Sequence, residues 1–153
     1  MKIFIVSVLL SSLVWGVTVP NFKVTDLNHK VVSLYQLTQE NDVTLFSLVT
    51  LSCPYCLKEI HDYVGLSQKF GIRKVGFVAL FLESNTKKIQ DLIREEKIAY
   101  PVLRAGEDMS KYFMLRGVPF TFIVDRKNNI IEKIPGYVPA ESLDEFIGQQ
   151  LTR

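Results

Sequence analysis

The chain has 153 residues and a formal net charge of +2, with 18 lysines and arginines against 16 acidic residues. This length accommodates one domain with a sizeable core. The charges are mixed along the chain and form no basic block of the kind that nucleic-acid binding requires, so we expect no nucleic-acid partner. Two cysteines are too few for a disulfide scaffold and fit a redox pair or half of a metal site.

The amino-terminal segment indicates a compartment. One positive charge at Lys2 precedes an apolar run over residues 3–15, which is the pattern of a secretory signal. The chain stays uncharged as far as Pro20, which approaches the length of a membrane span. We predict a signal peptide or membrane anchor over residues 1–16 and a folded domain over residues 20–151; a buried core segment is the alternative. We therefore expect an exported protein in the periplasm or another extracytoplasmic compartment, either anchored or free.

The first predicted elements form a hairpin ahead of a central strand. Residues 21–26 alternate in polarity like an edge strand, residues 27–30 predict a turn, and residues 31–33 predict a second short strand. One helical turn is expected over residues 34–37. The continuous apolar run over residues 43–49 is typical of a central strand that is covered on both faces.

The only two cysteines follow this central strand, where a helical pattern begins. Cys53 and Cys56 are separated by Pro54 and Tyr55. Free N–H groups and a partial positive charge at the first turn of a helix stabilise an anion, and the thiolate is the reactive form of cysteine. Pro54 suits the first helical position, where its missing N–H would be unpaired anyway. We expect Cys53 to be the exposed attacking sulfur and Cys56 the sheltered resolving one.

The remaining elements alternate strands and helices and then close with a hairpin and a helix. In chain order they are a strand at 74–82, a helix at 86–96 capped by Asn85, a strand at 100–103, a helix at 109–115, a hairpin of strands 118–125 and 130–134, and a final helix opened by Pro139 and Glu141. The order βαβ then ββα predicts an α/β fold with a central mixed sheet, flanked by helices on both faces.

A Cys-Pro-Tyr-Cys motif at a strand-to-helix junction, in a chain of this element order, resembles the thioredoxin fold. The segment 117–125, about sixty residues downstream, resembles the strand that a cis proline opens in thioredoxin-like proteins. The resemblance implies that Pro119 is that proline and lies beside the cysteines. Val118 would then be free to pair its main chain with a substrate segment as an added strand.

A closer resemblance is to the TlpA/ResA group of thioredoxin-like proteins, and it rests on residues 21–37, on Glu59, and on the stretch from Asp125 to Gly136 with its closing helix. It implies an exported thiol–disulfide oxidoreductase of the kind that often acts in cytochrome c maturation. Three positions depart from related patterns and leave the direction of electron flow open. They are Ser52 in place of tryptophan, Val118 in place of threonine, and Ser47 in place of thioredoxin's buried aspartate.

Other residues near the motif have less specific interpretations. If Glu59 is partly buried, its pKa rises and it can move a proton to or from Cys56; the alternative is a carboxylate that simply favours the start of a helix. Tyr55 is expected to shape the surface around the motif, and Lys58 to be a solvated helix charge. His61 is predicted to be a surface residue.

These observations predict a thiol–disulfide oxidoreductase that exchanges disulfides with protein substrates, with Cys53–Cys56 as its redox-active disulfide and no other cofactor or metal. The resemblance favours a reductant that a membrane thiol–disulfide transporter recharges, while an oxidant or isomerase stays open. A peroxidase of the peroxiredoxin kind finds its hydroxyl residue at Thr50 but has Phe46 where such sites usually carry proline. A copper carrier of the Sco type would space its cysteines by three residues.

Overall fold

A seven-stranded mixed sheet forms the centre of the protein in a computed structural model, which describes residues 16–152. The strands are β1 (Lys23–Thr25), β2 (Val31–Ser33), β3 (Val43–Val49), β4 (Val75–Phe81), β5 (Val102–Arg104), β6 (Phe120–Asp125) and β7 (Ile130–Pro135). The α-helices are α1 (Pro54–Phe70), α2 (Thr86–Glu96), α3 (Glu107–Tyr112) and α4 (Ala140–Leu151), with short 3-10 helices at Leu34–Leu37 and Gly71–Arg73. The strand order is β2-β1-β5-β4-β3-β6-β7.

Strand β3 lies inside the sheet, as its apolar run predicts. It pairs in parallel with β4 and antiparallel with β6, and all seven of its residues are buried. Because side chains alternate along a strand, Leu45 and Val49 pack on the face that carries α1, α2 and α4, while Phe46 and Leu48 pack on the opposite face with α3. The predicted α/β architecture with helices on both faces is confirmed.

The predicted amino-terminal hairpin is present, but its place in the sheet differs from expectation. β1 and β2 pair antiparallel. The prediction that the first strand lies at the edge is wrong, because Thr25 also pairs with Arg104 of β5. The strand β5 would otherwise present an unpaired edge, and β1 covers it, so β2 and β7 become the outer strands.

Several element boundaries also differ from the sequence prediction, including those of α3, β5 and β6. The helix predicted at 109–115 is α3, which starts earlier because acidic side chains at Glu107 and Asp108 favour a helix amino terminus. It ends at Tyr112, and Met114 then adopts a positive φ of 48°. The strand predicted at 118–125 begins only at Phe120, after the proline, and the strand predicted at 100–103 is β5, which runs from Val102 to Arg104.

The chain enters the sheet at the end remote from the cysteines. Thr18 forms a bridge with Asn129 in the β6–β7 turn, and the N–H of Val19 donates to the carbonyl of Asn128 over 2.9 Å. Of the predicted signal or anchor segment over residues 1–16, residues 1–15 lie outside the described part of the chain. Within residues 16–152, none of the helices has both the length and the apolar character needed to cross a bilayer.

Candidate active site

Cys53 and Cys56 lie at the start of α1, directly after the end of β3. Cys53 is the N-cap residue of this helix and Pro54 occupies its first turn. The Sγ atom of Cys53 accepts a hydrogen bond from the backbone N–H of Cys56 over 3.1 Å. Cys53 is half-buried, whereas Cys56 is completely buried. Cys53 is therefore the more exposed of the two sulfurs and Cys56 the sheltered one, as the sequence predicts.

The cis peptide bond expected from the resemblance is present between Val118 and Pro119. The Cys53 thiol donates to the carbonyl oxygen of Val118 over 3.5 Å, so this peptide lies against the exposed sulfur. Pro119 is buried and Val118 is half-buried. The carbonyl oxygen of Pro119 accepts from the N–H of Gly136 over 2.9 Å, which joins the loop after β7 to the same site.

The two thiols differ in their electrostatic surroundings. Burial and the hydrogen bond with Cys53 raise the pKa of Cys56 from its ordinary value of 9.0 to about 12. The charge of Glu59 contributes to the same shift. Cys56 is therefore a protonated thiol near neutral pH, and it needs a base before it can act as a nucleophile.

Glu59 is a buried carboxyl group on the same face of α1 as Cys56, three residues further along. Only 1% of its surface is exposed. Its Oε1 atom accepts hydrogen bonds from the hydroxyls of Ser47 and Thr121, the latter over 3.1 Å, and these residues are partners across β3 and β6. Burial nevertheless raises the pKa of Glu59 from 4.5 to about 7, against the lowering effect of both hydroxyls.

The hydroxyl donors around Glu59 were only partly anticipated. The sequence relates Ser47 only to thioredoxin's buried aspartate and does not indicate that it is a partner of Glu59. It indicates no role for Thr121. The signal lies in the strand patterns, because both residues put a hydroxyl on the inner face of a strand that is otherwise apolar. Buried hydroxyls of this kind require a hydrogen-bond partner, and Glu59 is that partner here.

Tyr137 is a residue beside the site that the sequence did not reveal. Its hydroxyl donates to Asp62 on α1 over 2.7 Å, and its ring lies 6.0 Å from that of Tyr55, centroid to centroid. The Nζ atom of Lys58 lies 4.7 Å from the centre of the Tyr137 ring. Tyr55 itself is 64% exposed. The loop after β7 thus contacts α1, and its tyrosine ring lies beside that of Tyr55, two residues after Cys53.

Other candidates lie elsewhere. His61 is exposed and pairs with Glu96 at 2.7 Å, which confirms the surface interpretation; this carboxylate raises the pKa of His61. Phe46 stacks on Phe122 in the core of the opposite face, with ring centroids 4.9 Å apart. Among residues 16–152, no three His, Cys, Asp or Glu side chains are grouped as ligands for a metal ion. The two cysteines are the soft donors at this site.

Comparison with known proteins identifies the family. The model of the Redoxin family matches residues 15–147. The thiol-disulfide oxidoreductase ResA of Bacillus thuringiensis subsp. konkukian is 24% identical over 133 residues, which cover 86% of this chain and 76% of that protein. The sporulation thiol-disulfide oxidoreductase A of Bacillus subtilis is 27% identical over 108 residues, covering 67% of this chain and 65% of that protein.

A solved structure shows the same fold. It is a thiol:disulfide interchange protein of the thioredoxin family from Chlorobium tepidum TLS, with a TM-score of 0.76 and 21% identity. The likeness covers 89% of this chain and 97% of that one. The predicted thioredoxin-like fold and the resemblance to ResA-type proteins are thereby confirmed. The chain belongs to the Redoxin family and is a thioredoxin-like oxidoreductase.

Proposed function

We propose that this protein is an exported thiol–disulfide oxidoreductase that exchanges disulfides with protein substrates through Cys53 and Cys56. One observation carries the proposal. The half-buried Cys53 caps helix α1 and contacts the cis Val118–Pro119 peptide, while Cys56 lies completely buried behind it. This arrangement separates an attacking sulfur from a resolving sulfur.

In the first step, the thiolate of Cys53 attacks one sulfur of a substrate disulfide. A new bond forms between Cys53 and the substrate, and the substrate's other sulfur leaves as a thiolate. The N–H of Cys56, 3.1 Å from the Cys53 sulfur, stabilises negative charge on that sulfur before the attack. Protein substrates are held by main-chain pairing with Val118, and Pro54, Tyr55 and Pro119 contact them around the sulfur.

In the second step, Cys56 attacks the Cys53 sulfur and releases the substrate as a second thiolate. Two electrons have then passed to the substrate, and the protein holds a Cys53–Cys56 disulfide. Cys56 must first lose its proton, and Glu59 is the proposed acceptor because it lies on the same face of α1 and has a pKa of about 7. Both neighbouring hydroxyls bond to Oε1 of Glu59, which leaves Oε2 to take the proton.

The proposed direction is reduction of substrate disulfides, with cytochrome c maturation as the setting and a membrane thiol–disulfide transporter as the electron donor. The likeness to proteins named ResA supports this direction. The extracytoplasmic location is supported by the apolar run over residues 3–15. The sequence departures at Ser47 and Val118 are the reason why this direction needs its own measurement.

The cysteine roles are tested by two single variants. We expect Cys53→Ser to abolish exchange with a disulfide-bonded peptide, because Cys56, the only other thiol in the sequence, is completely buried. We expect Cys56→Ser to accumulate a mixed disulfide through Cys53, because the resolving sulfur is missing. Mass spectrometry under non-reducing conditions detects this adduct, and full turnover by Cys56→Ser contradicts the assignment.

The direction of electron flow is tested by the equilibrium redox potential of the pair against glutathione or dithiothreitol. A redox potential of about −270 mV indicates a reductant, and one of about −120 mV indicates an oxidant. The measurement uses the described domain with both cysteines intact, and the Cys53→Ser/Cys56→Ser double variant provides the blank. A value at the oxidising end contradicts the proposed reductive role but leaves disulfide exchange in place.

A further inference from the structure

An apolar groove lies on the side of the cis peptide bond away from α1. Its volume is about 270 Å³, and Phe113, Met114, Leu115, Val118, Phe120 and Pro135 contribute most of its lining. The groove adjoins the site, because the carbonyl oxygen of Val118 lies 3.5 Å from the Cys53 sulfur. Met114 on its outer side is 80% exposed. The protein thus keeps apolar side chains open to solvent beside its exposed sulfur.

Positive charges border this groove and the sulfur. Arg116 is part of the lining, and the Nζ atom of Lys133 lies 5.8 Å from the centre of the Phe113 ring. On the other side of Cys53, Lys58 rests on the Tyr137 ring. None of the three forms a salt bridge with a carboxylate of the described chain.

Acidic groups offset part of this charge on the side of α1. Asp62 accepts the hydroxyl of Tyr137, and this neutral donor leaves its negative charge in place. Glu132 precedes Lys133 in β7, and successive side chains of a strand point to opposite faces of the sheet, so Glu132 points away from the groove. Glu141, at the start of α4, and the buried Glu59 are the other carboxylates whose charges reach Tyr137, so this side of the site has no excess of positive charge at Lys58. The lining of the groove itself contains Arg116 and no carboxylate, and Lys133 lies beside Phe113, so the groove has an excess of positive charge.

We propose that this groove and its rim select the substrate of the disulfide exchange proposed above. The substrate is an extended, acidic polypeptide segment that carries an apolar side chain two residues from its reactive cysteine. In an extended segment, residues two apart point to the same side, so the cysteine meets Cys53 while the apolar side chain enters the groove. Burial of that side chain removes apolar surface from water, and Arg116 and Lys133 attract acidic flanks.

Matched synthetic peptides test this selection. Each contains one intramolecular disulfide, and the set varies only the flanking charges (Glu, Gln or Lys) and the residue two positions from the cysteine (Leu or Ser). The rate of reduction by the reduced protein is followed by chromatography after acid quenching. We expect the Glu peptide to react about tenfold faster than the Lys peptide at low ionic strength, and this ratio to collapse at about 1 M salt. We expect Leu to exceed Ser about fivefold.

Substitutions in the protein test which residues produce the Glu/Lys and Leu/Ser rate ratios. The double variant Arg116→Gln/Lys133→Gln is expected to bring the Glu/Lys ratio close to unity. Met114→Asn is expected to lower the Leu/Ser ratio, and asparagine tolerates the positive φ at this position. Lys127→Gln, in the turn at the opposite end of the sheet, is the matched control and should keep both ratios. Because each ratio is taken within one protein sample, a loss of folded protein does not alter it.

The outcomes separate this inference from the proposed exchange itself. Equal rates for all peptides, a faster Lys peptide, or ratios that persist in the variants overturn the selection. Reduction of hydroxyethyl disulfide, a small uncharged compound, is measured in parallel with the wild-type protein. If that compound and the peptides are all reduced without discrimination, the exchange stands and the selection fails. If none is reduced, the exchange fails and the selection fails with it.

Discussion

Glu59 shows how one buried side chain sets the pH response of this site. Its carboxyl group lies between α1 and the inner face of the sheet, where Ser47 and Thr121 supply hydroxyl donors and Tyr63 bonds to Thr121 over 3.3 Å. Two hydroxyls do not replace the lost hydration of a carboxylate, so the neutral acid is favoured up to a pH of about 7. The group is thus able to change charge under physiological conditions.

The raised pKa of Glu59 predicts a pH-dependent stability. In the folded protein the carboxyl holds its proton up to a pH of about 7, whereas its ordinary value is 4.5. The folded state binds more protons over this interval, so the stabilising contribution is complete below pH 4.5 and is lost as the pH rises through 7. From about pH 4.5 to about pH 8, the free energy of unfolding should fall by about 3 kcal/mol more in the wild type than in Glu59→Gln.

Chemical denaturation of the reduced proteins at both pH values measures this difference. Glutamine keeps an oxygen that accepts from Ser47 and Thr121 but does not ionise, so it is the matched replacement. Parallel stability curves for the wild type and the variant would show that folding leaves the pKa of Glu59 at its ordinary value.

A second prediction concerns the hydroxyl donors. Ser47→Ala removes a hydrogen bond that lowers the pKa of Glu59, so we expect the titration of Glu59 to move further upward. The carbonyl or carboxyl NMR signal of a selectively labelled glutamate reports this midpoint. Ser142→Ala, in the first turn of α4, removes none of the hydrogen bonds to Glu59 and should leave the midpoint unchanged.

At the scale of elements, helices α1 and α2 each begin at a residue whose side chain accepts a hydrogen bond from a backbone N–H. The two caps have different roles. Asn85 caps α2 by accepting from the N–H of Lys88 over 3.1 Å, an ordinary stabilising contact. In α1 the capping atom is the sulfur of Cys53 itself. A hydrogen bond that normally only closes a helix is therefore directed at the reacting atom.

The cap of α2 gives an element-scale prediction. Asn85→Ala should reduce the free energy of unfolding by about 1 kcal/mol, because the N–H of Lys88 loses its acceptor. Asn85→Asp keeps an acceptor in the same place and is expected to remain close to the wild type. Urea denaturation of the three proteins measures both changes, and equal losses in the two variants would show that the side-chain oxygen is not the stabilising feature.

The contact between the loop after β7 and helix α1 gives a second prediction at the scale of elements. In the wild type, the hydrogen bond to Asp62 is the main cause that raises the pKa of Tyr137 to about 12. Tyr137→Phe removes this hydrogen bond but keeps the ring beside Tyr55. We expect a loss of about 1 kcal/mol in the free energy of unfolding. Tyr55→Phe is the matched control, since its ring is 64% exposed, and it should change stability by less than about 0.5 kcal/mol. Equal effects would mean that the Asp62 contact does not stabilise the loop.

At the scale of the whole molecule, local patterns predicted the elements well and tertiary contacts less well. The run 43–49 and the Asn85 cap each depend on neighbouring residues, and both were placed correctly. The position of β1 depends on an unpaired edge at β5, nearly eighty residues away, and was missed. Tyr137 reaches the site only because β7 ends beside α1, a relation that no short stretch of sequence contains.

The amino-terminal residues give a prediction at the same scale. Val19 is fully buried, and its carbonyl oxygen accepts from the hydroxyl of Tyr35 over 2.7 Å. A chain that starts at Gly16 should therefore keep its stability, whereas one that starts at Asn21 should lose about 2–3 kcal/mol in the free energy of unfolding, because it lacks this buried side chain and its strand contacts. Thermal or urea denaturation distinguishes the two, and equal stability would show that residues 16–20 contribute nothing.

The pairing of Thr18 and Val19 with the β6–β7 turn also fixes an orientation. β3 runs from that end of the sheet toward Cys53, so Thr18 and the sulfur atom of Cys53 lie at opposite ends of the sheet. A lipid bilayer, a fusion partner or a solid support that holds the chain through Thr18 would therefore attach at the end of the sheet opposite Cys53 and leave that thiol accessible.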